Sequence, residues 1–138
     1  MKINGMRKWM AAIAAAAAVF SLAGCLPGGE NAGDSGAARQ IESDLHVIVT
    51  NPDAMASSNP GTYIEAEREA YDRIAGSGEE GLVYMTERIA RSREDGLEEW
   101  ILARACADML GGEEASAGAE QSWETGKDWL AAREAEQK

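Results

Sequence analysis

Cysteine and histidine side chains could carry chemistry in this chain, but their number and spacing restrict what they can do. Cys106 lies in the apolar segment 100–110, and the single histidine, His46, is far from it in sequence. A cysteine nucleophile needs a basic partner, and one histidine with one free cysteine cannot supply the four ligands of a typical zinc site. The spacing therefore predicts no catalytic centre and no metal site, and a buried, structural Cys106.

The second cysteine, Cys25, follows a different pattern. Residues 2–8 contain three basic side chains, and the run Met10–Phe20 carries no charge, which is typical of a secretory signal. The run is shorter than the roughly 20 apolar residues that a membrane-spanning helix needs. No basic stop-transfer cluster follows in residues 26–38. A cleaved signal is therefore favoured over an uncleaved anchor.

Leu22-Ala23-Gly24-Cys25 resembles the lipobox of bacterial lipoproteins. The resemblance implies that the Cys25 thiol is alkylated by a diacylglyceryl group and that a dedicated signal peptidase cuts just before it. Residues 1–24 are thus predicted to be a lipoprotein signal peptide, with Leu22, Ala23 and Gly24 as the cleavage motif. An ordinary signal peptide that happens to end near a cysteine is the alternative.

The predicted lipid on Cys25 gives the protein a location. Each buried CH₂ contributes about 0.8 kcal/mol, and stable anchoring takes more than one chain. The resemblance implies two or three acyl chains, such as palmitate, on this residue. We therefore expect a membrane-anchored, extracytoplasmic protein, at the outer face of the plasma membrane or, in a Gram-negative cell, at the outer membrane.

Charge and length narrow the possible partners. Removing residues 1–24, which hold three of the 13 basic residues and none of the 24 acidic ones, changes the net charge from −11 to −14 and leaves 114 residues. Such an acidic chain is a poor partner for nucleic acid, because binding there depends on neutralising phosphates. We expect the negative charge to favour solubility, and we expect a chain of this length to form one domain.

Composition divides the rest of the chain in two. Residues 25–39 are predicted to be the lipidated cysteine and a flexible linker, because Gly, Ser and other small residues dominate. Residues 40–138 are predicted to be all-α, with about five helices in a small bundle or in stacked helix pairs. Ile41, Leu45 and Ile48 have the spacing of a helix face. The helix that contains Trp100 is apolar almost all round and is predicted to be central.

Capping residues predict where these helices begin. Asn59 and Pro60 are the cap and first residue of the second helix, which Gly76 ends. Ser77 with Glu80 has the pattern of a capping box, and Asp95 with Glu98 is a similar start for the fourth helix. The last helix is predicted to run from Ser122 to about Glu136.

Four segments carry a second resemblance: SSNPGTYIEAEREAYDRI, GLVYMTERI, GLEEWILARACADML and WETGKDWL. They resemble a family of small helical, HEAT-like extracytoplasmic lipoproteins of Gram-positive bacteria. The match covers about Ile41–Leu130, and its most specific pieces are Ser57–Pro60 and Thr125–Trp129. The resemblance implies no catalytic residues.

Two short motifs resemble nucleotide-binding sequences only in their letters. GSGEEG, Gly76–Gly81, matches G-x-G-x-x-G, but it follows a predicted helix where the dinucleotide motif needs a strand. It is interpreted as the end of one helix and the start of the next. TGKD, Thr125–Asp128, lacks both the upstream glycine and the Ser or Thr that a P-loop requires after its lysine.

Four residues remain as candidates for a binding surface. Arg104 and Asp108 are spaced i, i+4 in the most apolar helix, so they either pair within that helix or leave Arg104 to bind a carboxylate on another helix or an anionic ligand. Trp123 and Trp129 fit either the core or an interface, where aromatic side chains are enriched.

Three functions stay open. The favoured one is a non-catalytic interaction module at the cell envelope, attached to the membrane through its lipid and binding another envelope protein. The alternative is a small-ligand binder or sensor with a pocket between helices. An enzyme acting on cell-wall or lipid material is the least favoured, and no cofactor, metal or nucleic-acid partner is predicted.

Overall fold

The computed structural model describes residues 35–111 and 123–138. These residues form helices and no strand, which confirms the predicted all-α class. The signal peptide, its cleavage motif Leu22–Gly24, Cys25 and the linker up to residue 34 lie outside the described residues. In the described part, no helix is long and apolar enough to cross a membrane. The helices are α1 (Gly36–Val49), α2 (Pro60–Ala66), α3 (Arg68–Ala75), α4 (Gly78–Arg91), α5 (Leu97–Gly111) and α6 (Gly126–Glu136).

Helix α5 lies at the centre, as its apolar sequence predicts. It packs against each of the other five helices, so side chains on most of its circumference are covered. Ile101, Leu102 and Cys106 are completely buried. Burying an aliphatic side chain of this size contributes about 1.5–3 kcal/mol, so α5 contributes several kcal/mol to the core.

Helix α1 packs across α3 and α4, and the predicted apolar face of Ile41, Leu45 and Ile48 is buried there. The helix begins at Gly36, inside the last residues assigned to the linker. The reason is a cap that sequence reasoning missed, since the Ser35 hydroxyl accepts a hydrogen bond from the Ala38 N–H at 3.1 Å.

The second predicted helix is two helices, α2 and α3. Glu67 between them has φ −124° and ψ 50°, outside the helical region. Its carboxylate accepts a hydrogen bond of 2.7 Å from the Asn51 side chain. Asn59 and Pro60 begin α2 as predicted, with the Asn59 side chain accepting from the Gly61 N–H.

The connection between α3 and α4 confirms that GSGEEG ends one helix and starts another, but the predicted capping box is wrong. The Ser77 hydroxyl donates to the Ile74 carbonyl at 2.7 Å and makes no cap hydrogen bond to α4. Gly78 has φ +73°, a left-handed conformation that glycine adopts readily. The turn is therefore made by the backbone at Gly78 and not by a serine cap.

A cluster centred on Arg88 joins α1, α4 and α5. The Arg88 guanidinium lies 3.2 Å from Glu42, 2.7 Å from Glu98 and 3.3 Å from Glu99. Glu99 is almost completely buried, and it also accepts hydrogen bonds from the Ser92 hydroxyl and from the Gly96 N–H. We call this cluster, with Tyr84 donating to Glu42 at 2.5 Å, the Arg88 network.

Helix α6 is attached to the loop between α4 and α5 through the TGKD segment. The Thr125 hydroxyl accepts from the Asp128 N–H, while Asp95, predicted to cap α5, accepts from the Lys127 N–H at 3.0 Å. The Lys127 ammonium donates to the Ser92 carbonyl at 2.8 Å. A Cβ at Gly126 would lie 2.4 Å from the Glu99 carbonyl oxygen, so only glycine allows this approach. The segment is thus a helix start that docks on its neighbour.

Candidate functional site

Two adjoining cavities lie on either side of Trp100, which contributes to the lining of both. Trp100 is on the first turn of α5 and is only partly buried. We call the combined depression the Trp100 groove. Helix α2 contributes residues to both of its halves, so the groove runs along the contact between α2 and α5.

The first half, the serine cavity, has a volume of about 290 Å³. The SSNP segment shapes one wall of it. The Ser57 hydroxyl donates to Thr62 at 3.1 Å and accepts from the Asn59 N–H, which fixes the chain just before α2. Polar side chains and the ring of Tyr63 surround this half. Its lining is Ser57, Ser58, Pro60, Tyr63, Asp95, Gly96, Leu97, Trp100, Glu124 and Thr125.

The second half, the arginine cavity, has a volume of about 230 Å³ and lies between α2, α3 and α5. Two arginines from different helices, Arg68 of α3 and Arg104 of α5, line it together. Its full lining is Gly61, Ile64, Glu65, Arg68, Tyr71, Trp100, Arg104 and Asp108.

Each of these arginines is paired with an aspartate one turn further along its own helix. Arg68 Nε lies 2.8 Å from Asp72 Oδ1, and Arg104 Nε lies 3.1 Å from Asp108 Oδ1. The sequence spacing of Arg104 and Asp108 predicts this intrahelical ion pair, and the structure contains it. Both pairs use the Nε edge of the guanidinium. The Arg104 guanidinium also hydrogen-bonds to the Tyr71 hydroxyl, which counteracts part of the rise in the Tyr71 pKa.

Tyr71 connects the two pairs. Its hydroxyl donates a 2.6 Å hydrogen bond to Asp108 Oδ2, and the Arg68 guanidinium lies 5.7 Å from the centre of its ring. Burial and the neighbouring Asp108 carboxylate raise the pKa of Tyr71 well above its usual value, so it remains a hydrogen-bond donor. The second oxygen, Asp108 Oδ1, is buried and has no well-aligned donor among the described residues. Asp108 is thus held by Tyr71 and by the charge of Arg104.

The two tryptophans proposed from sequence lie in different environments. Trp123 precedes α6 and packs on Trp100, with ring centroids 5.7 Å apart and planes at 49°. Trp129 is 7% exposed, within the core, and does not line either cavity. Trp100, which sequence reasoning used only to mark a central helix, is the aromatic residue that both cavities share. In the sequence, only the position of Trp100 at the start of the helix, before the fully buried residues, indicates that it could line a cavity.

The remaining reactive side chains lie away from the groove. Burial raises the pKa of the Cys106 thiol to about 12, although the charge of Arg133 opposes this change, so the thiol stays protonated at neutral pH. His46 is exposed in the last turn of α1. Within residues 35–111 and 123–138, no group of three His, Cys, Asp or Glu side chains could hold a metal ion.

The chain matches no protein-family model, no curated protein and no solved structure when it is compared with each. The lipobox and the HEAT-like resemblance therefore rest on the residues of this sequence alone, and the Trp100 groove is interpreted from its own geometry.

Proposed function

We propose that the protein is a lipid-anchored, extracytoplasmic interaction module that binds another envelope protein and has no catalysis of its own. Its anchor is Cys25, and this part of the proposal depends on the match of Leu22–Cys25 to a lipobox. Its binding surface is the Trp100 groove. The protonated, buried Cys106 supports a non-catalytic role.

The observation that carries the binding role is that two cavities of about 290 and 230 Å³ adjoin at one partly exposed tryptophan. Tryptophan, tyrosine and arginine dominate the energetics of protein interfaces, and the groove contains all three. Two small adjoining cavities suit neighbouring groups along a single polypeptide segment. A lipid tether adds to the effect, because it confines both partners to one surface and raises their effective concentration.

Site-specific photo-crosslinking on intact cells tests this role. A photo-reactive amino acid replaces Ser58, which is exposed and lines the serine cavity, or, as a control, Glu80, which is exposed on α4 outside the groove. We expect one dominant protein adduct from position 58 and background from position 80. The same variants carrying Cys25→Ser should lose the adduct. Equal adduct patterns from both positions would contradict the groove as the binding surface.

A small-ligand binder is the second candidate, and the arginine cavity is the observation that favours it. Typical pockets for drug-sized ligands measure about 300–1,000 Å³, so a cavity of about 230 Å³ suits a small polar molecule. Tryptophan fluorescence would report binding, because Trp100 lines this cavity. A flat response to envelope metabolites and ions would exclude this candidate, whereas saturable quenching without any protein adduct would favour it over the interaction module.

A further inference from the structure

We propose that the arginine cavity recognises the terminal carboxylate of a peptide chain whose preceding residues lie along the Trp100 groove. This inference rests on the proposed role of the groove as a protein-binding surface and specifies which part of the partner it holds.

The first argument is the unused hydrogen-bonding capacity of two convergent arginines. Arg68 and Arg104 line the same cavity from α3 and α5, and each is fixed through Nε by its own aspartate. Anchoring a guanidinium at Nε limits its rotation. Arg104 also bonds to the Tyr71 hydroxyl, and the remaining N–H donors of the two guanidinium groups are left for another acceptor. A guanidinium presents such donors in a planar fork that matches a carboxylate or a phosphate.

The second argument selects the carboxylate over the phosphate. Glu65 and Asp108 line the same cavity as the two arginines, and Asp72 is paired with Arg68 at its edge. A phosphate group bears close to two negative charges at neutral pH. In the cavity it would be repelled by three carboxylates, and only two guanidinium groups would attract it. A carboxylate bears one charge, which the two arginines accommodate with less repulsion.

The third argument selects the end of a peptide over a free small acid. The arginine cavity contains Trp100 and Ile64 beside its charged groups, so it offers an apolar surface for the last side chain of a peptide. It then adjoins the serine cavity, where the hydroxyl groups of Ser58 and Thr125 can donate to backbone carbonyls. A free acid would use only half of this groove, whereas a chain end uses both halves.

Affinity selection from a peptide pool tests the proposal. The full chain is immobilised and exposed to randomised tetrapeptides, mixed in equal amounts as free acids and as C-terminal amides, and the retained peptides are identified by mass spectrometry. We expect free acids to be enriched about tenfold or more over amides, since a hydrogen bond to a charged group contributes more than a neutral one. The preference should disappear in Arg104→Gln.

The control variant is Arg39→Gln, which removes the same charge from an exposed position on α1 outside both cavities. It should retain the full preference, and thermal unfolding followed by circular dichroism confirms that both variants are folded. If Arg104→Gln is poorly folded, Arg68→Gln replaces it as the test, and it should also weaken the preference for free acids. Equal retention of acids and amides, or retention of amides that carry internal Asp or Glu, would overturn the proposal.

The outcomes also separate this proposal from the broader one. Equal retention of free acids and amides, together with a specific adduct from position 58, would mean that the groove binds protein without recognising a terminal carboxylate. Retention of small free carboxylates in competition with the peptides, at similar affinity, would assign the cavity to a free acid instead. No retained peptide and no adduct would overturn both the terminal-carboxylate assignment and the binding role of the groove.

Discussion

Arginine occupies two contrasting environments in this domain, the Arg88 network and the arginine cavity. In the network, Arg88 contacts three carboxylates from α1 and α5, and one of them, Glu99, has further hydrogen bonds to Ser92 and Gly96. In the cavity, Arg68 and Arg104 each contact one carboxylate of their own helix. The ion pairs of the network join helices, whereas each ion pair of the cavity lies within one helix and only the Tyr71–Asp108 hydrogen bond links α3 to α5 there.

This contrast distinguishes a structural arginine from a candidate binding arginine. A buried charge is costly unless its partners are close and its hydrogen bonds are made, and the Arg88 network meets this requirement within the protein. Each cavity ion pair uses only part of its guanidinium, and both guanidinium groups line a cavity. Substitutions in the first region should therefore change stability, and substitutions in the second should mainly change binding.

The largest expected effect is that of Glu99→Ala in the Arg88 network. It removes the acceptor of the Ser92 hydroxyl and the Gly96 N–H, together with one carboxylate beside Arg88. Because buried groups without partners are costly, we expect the free energy of unfolding to fall by about 2–4 kcal/mol. Urea denaturation followed by circular dichroism measures it. Glu79→Ala, at an exposed position of α4, is the control and should change the free energy of unfolding by less than about 0.5 kcal/mol. Equal losses in the two variants would contradict the structural role of Glu99.

A single methyl group tests how tightly α6 is docked on this network. In Gly126→Ala the new Cβ would lie 2.4 Å from the Glu99 carbonyl oxygen, so the helix must shift. Overpacking of this kind costs about 1–3 kcal/mol, and chemical denaturation should show a loss in that range. At Gly36 nothing lies within 4 Å of the same added atom, and Gly36→Ala should leave stability unchanged or slightly increased.

Exchanging arginine for glutamine in each region compares them directly. Arg88→Gln should lower the free energy of unfolding by about 1–3 kcal/mol, because it leaves several carboxylates without their charged donor. Arg104→Gln removes one intrahelical pair, but the half-buried Asp108 carboxylate keeps its hydrogen bond from Tyr71, so we expect a smaller loss of about 0.5–1.5 kcal/mol. Thermal unfolding of the two variants should rank them in this order. The reverse order would show that Arg104 is a structural residue and would weaken its assignment to a binding site.

An effect confined to high pH concerns the tyrosines of the two regions. Burial and the Glu42 carboxylate raise the pKa of Tyr84 to about 12, compared with about 10 in an unfolded chain. The folded state therefore favours the protonated phenol, and this contribution to stability is complete below pH 10 and is lost as the pH rises towards 12. Tyr84→Phe should remove this part of the alkaline destabilisation, as measured by denaturation between pH 9 and 12.

Tyr71 provides the matching measurement in the arginine cavity. Its pKa is raised further than that of Tyr84, so the ultraviolet absorbance of tyrosinate should appear at lower pH for Tyr84 than for Tyr71. Comparing Tyr71→Phe with Tyr84→Phe assigns the two transitions. Simultaneous ionisation of both residues in the folded protein would contradict the contrast between the two sites.

Local signals in the sequence predicted much of the fold. The apolar face of α1, the Asn59 cap with Pro60, and the central α5 each depend on residues within a few positions of one another, and all are present in the structure. The Arg104–Asp108 pair is local in the same sense. Ser77 shows the limit of such signals, because the left-handed backbone at Gly78 removed the geometry that a capping box needs.

The candidate site depended on contacts that no local pattern contains. Tyr71 donates a hydrogen bond to Asp108, which is 37 positions away in sequence. Trp100 lines both cavities only because α2 packs beside α5. Asp95 illustrates the same point, since its sequence context suits a cap for α5 and its side chain instead bonds to Lys127. These contacts follow from how the helices pack, and packing is decided by all of the buried surfaces together.

The hydrogen bond from the Lys127 amide to Asp95 reports whether α6 is docked on its neighbour. The Lys127 amide is bonded to a side chain 32 positions away, so its hydrogen is protected from solvent only while α6 remains docked on the α4–α5 loop. The Asp128 amide, bonded to Thr125 within the same turn, is protected whenever α6 is helical. The ratio of hydrogen–deuterium exchange rates at these two adjacent amides therefore separates undocking of the last helix from its melting.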